Sequence, residues 1–591
     1  MAVGVRDRAL KGVWVRASEA PLTHPWGPHN TPATWRSEAL PLTDGAGGHA
    51  ADDHAFEEGR RRVTHDGKPP GMAPAGPGPG GRHRRTDEYG WMGWSVKKWP
   101  ESWIDAAPPF DRCIRCGQCK RTPSPPTTAD PEGPEHLMDP LSAFETLVVT
   151  DRRPGFPMAF FVEARLEGPL DQARLEAAVA GAADRHPRTR MRIARRGGGW
   201  VWLPPDRTPV VEWWPLDRPR DAADPWRPCR LTDESGLRIV ALERERHVAG
   251  PPCWSVVLMV DHAVCDGLAG IEWMGDVWSL YHGGRPARFR ERIRTPADDP
   301  AAAADPVAAA PLPSQPAARR LARESGTFAL LRPTVLAPHP THGRTVAATD
   351  LAPPYHAVAF SPDDTRRLWA IAAAAGVTVN DLLVGAAMQS VLAWNAAAGR
   401  QPRHVRINMP VSLRPVGARL PAGNHIGYAF LDRSAGDCAK PVELVRSLAA
   451  ASRWIQETGA AAQFLHAVEK LRQVPGLLWV LTRLPACLSS AVVSNVGNVG
   501  PRMRADVPKI DGCDAPRDLR LTAIVGAPPL RPRTRAAVGV MTYAGSLRLA
   551  VMADERTIGA GASARLAERL REAVVGIAAT VAARPMSDER S

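Results

Sequence analysis

Long apolar runs are missing from this 591-residue chain. No window holds the roughly 18 uninterrupted apolar residues of a membrane-spanning helix, so no span is predicted. The opening, MAVGVRDRALKG, has no apolar run of signal-peptide length. Residues 476–493, GLLWVLTRLPACLSSAVV, come nearest to a span, but Arg483 and Pro485 interrupt them. They read as a buried helix followed by a strand. Cysteine is scarce as well, with nine in the chain. Cys229, Cys253, Cys265, Cys438, Cys487 and Cys513 stand singly, which excludes a disulfide scaffold and points to a reducing cytoplasm. Lys and Arg outnumber Asp and Glu by 75 to 62, a formal charge of +13. No concentrated basic stripe with stacking aromatics beside it accompanies that surplus, so nucleic acid is not an expected partner. Phosphates on a small cosubstrate, or solvated faces, account for it equally well.

Proline and glycine are present but uneven. Residues 1–137 hold 18 Pro and 17 Gly, 35 of 137 positions, against 41 Pro and 33 Gly in the remaining 454. The stretch GKPPGMAPAGPGPGG (67–81) can form neither helix nor central strand, because proline removes donors and glycine raises the cost of ordering. Seven Trp in 1–137 follow no strand or helix period. We therefore expect a poorly ordered N-terminal extension, with Met138 a candidate natural start. Inside it, Cys113, Cys116 and Cys119 in CIRCGQC could converge on one metal. The spacing resembles the cluster loop of bacterial-type ferredoxins, where a fourth Cys follows before Pro. Here KRTPSPP follows, no fourth Cys arrives and His136 is distant, so unused thiols are favoured over a metal site.

Past Met138 the patterning is that of a folded α/β chain. PMAFFVEARLEG (157–168), LRIVALERE (237–245) and CWSVVLMV (253–260) predict strands, and MRIARRGGGWVWLPP two short ones around a Gly turn. Asp171 is placed to cap a helix whose Leu175, Ala178, Val179 and Ala182 share a face. After a Pro/Ala-rich linker over 285–345, a second set begins. It has strands at 355–361, 404–415, 491–497 and a hairpin over 535–554, a helix capped by Ser361, another from Thr378 or Asn380, and a closing amphipathic helix. The expectation is two similar-sized α/β halves, 138–330 and 331–591, with a site between them.

The sharpest local signal is VVLMVDHAVCDGLAGIEWMGD (256–276). An apolar strand runs into Asp261 and His262, and Asp266–Gly267 opens a helix. A His at the edge of a buried strand meets substrate while the strand fixes its position. Asp266 can hold the loop by accepting backbone N–H groups or an Arg, and Gly267 is expected to permit the turn. No Ser or Cys sits in a nucleophile elbow, and no second His stands at metal-ligand spacing. His262 is thus a candidate general base acting on a substrate nucleophile, with a satisfied core histidine as the alternative.

DHAVCDG resembles the HHxxxDG motif of the CoA-dependent acyltransferase superfamily. That superfamily includes chloramphenicol acetyltransferase, peptide-synthetase condensation domains and wax ester synthase/diacylglycerol acyltransferases. Further segments resemble the wax ester synthase branch in order and spacing, over about 138–580. They are MDPLSAFE (138–145), LDQARLEAAVAGAADRHPRTRMRI (170–193), GVTVNDLLVGA (376–386), INMPVSLRP (407–415), GNHIGYAFL (423–431) and SNVGNVGP (494–501). The Asp-Phe-Gly-Trp-Gly element of condensation domains is absent.

The resemblance implies two chloramphenicol-acetyltransferase-like halves with mixed sheets and a central tunnel. His262 would be the base, Asp266 a structural residue and Gly267 the motif glycine. Asp261 stands where the family has its first His, which places a negative charge beside the base and is expected to raise its basicity. Asn380, Asp381, Asn424, Ser494 and Asn495 are the matching second-half elements. The implied activity is O-acyl transfer from acyl-CoA, a cosubstrate rather than a bound cofactor, to a long-chain alcohol or diacylglycerol. Acyl carrier protein is an alternative donor, and a lipid surface a possible peripheral contact through 476–493. The other readings are an amide-forming condensation-like enzyme and a scaffold that has lost its chemistry.

Overall fold

Ala159 pairs with Asp261 at the end of an antiparallel ladder. The computed structural model describes residues 139–216, 224–244, 251–290, 332–339, 353–415, 417–503 and 519–584. All lie in the unit Ser124–Ser591. The N-terminal extension with Cys113, Cys116 and Cys119, and most of the 285–345 linker, lie outside the described residues.

The first sheet is ordered β11-β1-β6-β5-β4. Its strands are β1 (Ala159–Glu167), β4 (Val211–Trp214), β5 (Leu237–Arg244), β6 (Cys253–Asp261) and β11 (Arg520–Ala527). β1, β5 and β6 are covered on both faces, which is why they read as near-continuous apolar runs. β4 lies parallel to β5 and the other pairs are antiparallel. The Gly turn forms as expected, joining β2 (Ile193–Arg196) to β3 (Gly199–Trp202) with Gly197 and Gly198 at positive φ.

The second sheet is ordered β7-β13-β12-β10-β8-β9. It holds β7 (His356–Ala359), β8 (His404–Ser412), β9 (Ile426–Ser434), β10 (Ala491–Asn498), β12 (Ala536–Tyr543) and β13 (Ser546–Ala553). β10 runs parallel to both β8 and β12. Helices Val379–Ala397, Pro441–Thr458 and Ala562–Ala583 contribute to one apolar core with this sheet. Both sheets are therefore mixed.

Helices α1 (Ala143–Asp151), α2 (Gln172–Arg185) and α3 (Gly267–Tyr281) share the core of the first sheet. The caps read from sequence are present: Asp171 on α2, Ser361 on Pro362–Ala374 and Thr378 on Val379–Ala397. Among the described residues no single helix is long and apolar enough to cross a membrane. A bent pair, Pro362–Ala374 with Val379–Ala397, passes by length and composition only, and the second helix is largely buried in the core.

Two features depart from the sequence reading. β11 comes from the second half of the chain yet completes the first sheet, pairing Phe161 with Ala527. It meets β12 where Gly526 and Gly539 face each other. A Cβ on Gly539 would collide with the Gly526 carbonyl, and one on Gly526 with the Met541 methyl. The expected buried helix in 476–493 is instead Leu477–Arg483, of which only Leu478 is buried, against Ala143, Leu147 and Val468. Seven residues make two turns, and within them Trp479, Val480 and Leu481 are exposed. The strand predicted after it is β10.

Candidate active site

The rung Ala159–Asp261 leaves His262 just beyond the end of β6. Its backbone N–H donates to the carbonyl of Met158 at 2.9 Å. Met158 has φ +58, a costly conformation for a side-chain-bearing residue and one that recurs at functional sites. The ring of His262 is buried and flanked edge-on by Phe144, 5.2 Å away, and Phe160, 5.3 Å away. Phe144 explains the MDPLSAFE segment. Ser142 and Glu145 form a reciprocal capping box that fixes the start of α1, and the helix delivers Phe144 to the imidazole.

Burial pushes the His262 imidazole below its ordinary value of 6.5. The Asp266 carboxylate, the backbone of His262 and Cys265 and the Asn424 side chain pull the other way without reversing it. The ring is thus neutral at pH 7 and can take a proton. Asp261 does not supply the expected boost. Its carboxylate is salt-bridged to Arg152 and accepts from the Ala263 N–H at 3.0 Å, so its charge is cancelled locally. Burial raises the Asp261 pKa against those partners. Cys265 is also buried, which pushes its thiol far up and leaves no thiolate to act.

Asp266 is held from three sides. As the N-cap of α3 it accepts from the Ala269 N–H at 3.0 Å, and it accepts from the His425 N–H at 2.8 Å. Arg414 Nη1 lies 2.9 and 2.7 Å from its two oxygens. Burial alone would raise the Asp266 pKa, but Arg414 and the two N–H donors more than offset it and hold the carboxyl below its usual range. The role expected of Gly267 is not the one found. Its φ is not positive, so the turn does not need glycine, and a Cβ there would project into open space. Gly267 lines the cavity, and its missing side chain leaves room beside His262.

Most of this clamp comes from one segment of the second half, 413–425. Besides Arg414 and His425 it supplies Asn424, whose Nδ2 donates to the carbonyls of His262 at 3.0 Å and Ala263 at 2.9 Å. The same segment reaches α3 again. Arg419 pairs with Asp276, which also accepts from Arg185 Nε at 2.9 Å and faces His186 Nε2 at 3.1 Å. The Ala422 N–H donates to His186 Nδ1 at 2.8 Å. That assigns the proton to Nε2 and makes the RHP-like histidine a structural tie.

A narrow cavity opens between the two sheets. His262, Phe160 and Gly267 line it from the first half, and Asn408, Tyr428 and Ser494 from the second. Burial pushes the Tyr428 phenol up to about 12, so its hydroxyl stays a neutral donor. Arg531 also lines the cavity, its Nε 2.5 Å from Asp151 at the end of α1.

Of the second-half residues singled out in sequence, Ser494 is in the cavity wall and Asn424 braces the His262 loop. Asn380 and Asn495 bond each other at 3.3 Å and do not line the cavity. Asp381 belongs to the capping box with Thr378 and accepts from Ser452 Oγ at 2.8 Å, a structural role. Sequence reasoning passed over Phe144, Arg414 and Arg531. Arg414 had a signal: a buried motif Asp needs a cation, and SLRP supplies one beside the apolar strand. Among the described residues no group of three or more His, Cys, Asp or Glu could hold a metal ion.

This architecture is that of condensation domains. The first condensation domain of the calcium-dependent antibiotic synthetase, solved with a substrate analogue, superposes with TM-score 0.51 at 17% identity, over 76% of this chain and 98% of that one. Polyketide synthase associated protein 5 from Mycobacterium tuberculosis superposes with TM-score 0.49 at 17% identity, over 75% of this chain and 98% of that one. In sequence, residues 349–552 match the family described as phthiocerol/phthiodiolone dimycocerosyl transferase C-terminus. An uncharacterized protein found in two strains of Mycobacterium tuberculosis is 24% identical over 458 residues, 74% of this chain and 98% of that protein. The family match covers about a third of the chain, and the superposition carries the fold. The chain is acyltransferase- and condensation-domain-like.

Proposed function

We propose that the protein is an O-acyltransferase that moves an acyl group from a CoA thioester to an alcohol, with His262 as general base. One observation carries the reading: a buried, neutral imidazole lines a cavity built from both sheets, where two substrates can meet. His262 takes the proton of the acceptor hydroxyl as its oxygen attacks the thioester carbonyl. The tetrahedral adduct collapses, the carbon–sulfur bond breaks, and the proton passes from His262 to the departing thiolate. No acyl-enzyme forms. Thiolates leave readily, so positioning and proton removal are the main tasks. The largely apolar wall, with Met158, Phe160, Val162, Ile426, Val492 and Met541, favours a hydrophobic acceptor such as a long-chain alcohol or diacylglycerol.

A carrier-bound donor with an amine acceptor is the second reading, favoured by the superposition on a condensation domain and by the charge of +13, which suits an acidic carrier. Thiol release from acyl-CoA, measured with alcohol, diacylglycerol and amine acceptors, separates the two. Turnover with alcohols that His262→Ala abolishes supports the first. Turnover only with carrier thioesters and amines supports the second, and none with any pair points to a scaffold without chemistry.

A further inference from the structure

The second sheet presents alternate residues to the cavity. On β8, Ile407 and Met409 belong to the helix-covered core, so Asn408 and Pro410 face the other way, into the cavity wall. Val492 of β10 pairs with Asn408, and Tyr428 of β9 pairs with Pro410. Asn is a poor strand former, and this wall is largely apolar. Asn408 is nevertheless 2% exposed, and its Oδ1 has no hydrogen-bond partner in the protein. Buried polar atoms are rarely left so, and the exceptions concentrate where a ligand or a reaction supplies the partner. Among the described residues that line the cavity, one other keeps such an atom, His262 at Nδ1. Tyr428 and Ser494 carry hydroxyls, which both donate and accept and so single out no ligand group.

An amide oxygen asks for an N–H or O–H donor. The reactants of acyl transfer bring few. The acceptor hydroxyl gives its proton to His262, and an acyl chain has none to give. The arm that carries the thioester has a secondary amide two carbons from the sulfur, and it is the same arm in CoA and in a carrier protein. We propose that Asn408 positions the acyl donor, its Oδ1 accepting the N–H of that amide and so fixing the thioester carbonyl within reach of the acceptor hydroxyl. The choice of ligand rests on the acyl-transfer reading, whereas binding is measured without turnover.

The test is calorimetric binding of two unreactive thioethers to the full chain. Each has an octyl chain on sulfur and, two carbons away, either an acetamide or an acetate ester, so they differ by an N–H against an oxygen. The parent should bind the amide about tenfold more tightly, because the ester leaves Oδ1 buried without a donor. Asn408→Leu, and the smaller Asn408→Ala, should bind the two alike, with circular dichroism spectra matching the parent. A role in packing alone would weaken both ligands equally and leave their ratio unchanged. S-octyl-CoA and S-octyl acyl carrier protein are then set to displace the amide thioether. Displacement by the first at lower concentration assigns the arm to CoA, the reverse order assigns it to a carrier, and displacement by neither overturns the proposal. Equal binding of amide and ester by the parent overturns it without any variant. So does absence of binding by both, or a preference that survives in folded Asn408→Leu. Amide-selective binding without acyl transfer to any acceptor upholds the role of Asn408 and sinks the transfer reading alone.

Discussion

Arg414 and Asp266 stand 148 residues apart in the chain, and one guanidinium nitrogen lies within 2.9 Å of both carboxylate oxygens. Both side chains are almost fully buried. A charge pair so placed offers little net stability when intact but is costly to break, because the survivor is left without a partner. It holds the first half's His262 loop and the second half's 413–425 segment in one register.

Replacing Arg414→Leu should therefore cost about 3–5 kcal/mol, read as a lower midpoint in urea. Asp266→Asn should cost less, since amide and N–H groups can still bond. Because Asp266 is held below its ordinary value of 3.8, its contribution is full above that pH and fades as pH falls through the folded value. The stability gap between parent and Asp266→Asn should shrink accordingly in acid.

The proposed role of His262 as base has its own signature. His262→Ala should lower kcat by roughly 10²–10⁴ while leaving the circular dichroism spectrum unchanged. Burial depresses the imidazole, so the acid limb of kcat/KM in the parent should fall below pH 6.5. A limb at or above 6.5 would remove His262 from the role.

Gly267 separates space from conformation. Gly267→Ala should be neutral or stabilising within about 1 kcal/mol, since alanine is the better helix former. Gly267→Leu should fold yet raise KM strongly by filling the room beside His262. Steady-state kinetics on both variants check this.

Placing a histidine at 261, where the resembled motif has one, should not help. Asp261→His strands Arg152 and removes the bond to the Ala263 N–H, so a loss of about 1–3 kcal/mol is expected with no gain in kcat. Denaturation and turnover of that single variant decide it.

Local physics made part of this legible. The run VVLMVDHAVCDG announces a buried strand, a turn and a capped helix, and each forms where the chain says it should. Cap residues such as Asp171, Ser361 and Thr378 are equally plain, because their partners lie three residues away. Phe144 and Arg414 act on the loop only across the fold, and no periodicity marks such a contact. Asp261 misled for the same reason. Its meaning depends on Arg152, 109 residues earlier, which converts a charge beside the base into a closed pair. Asp381 looked like a site residue because it shares a segment with Asn380, yet its oxygens are spent on Thr378 and Ser452.

The crossing of β11 has a consequence for the chain as it is made. Until residue 527 has been synthesised, one side of β1 has no neighbour, since Phe161 waits for a partner 366 positions away. Through most of translation the first half therefore carries an open, apolar strand edge beside the future cavity, the feature that invites pairing with a foreign strand. A truncation before residue 519 would make that condition permanent and should yield aggregates rather than a free first half. The strand that seals the site is among the last to arrive.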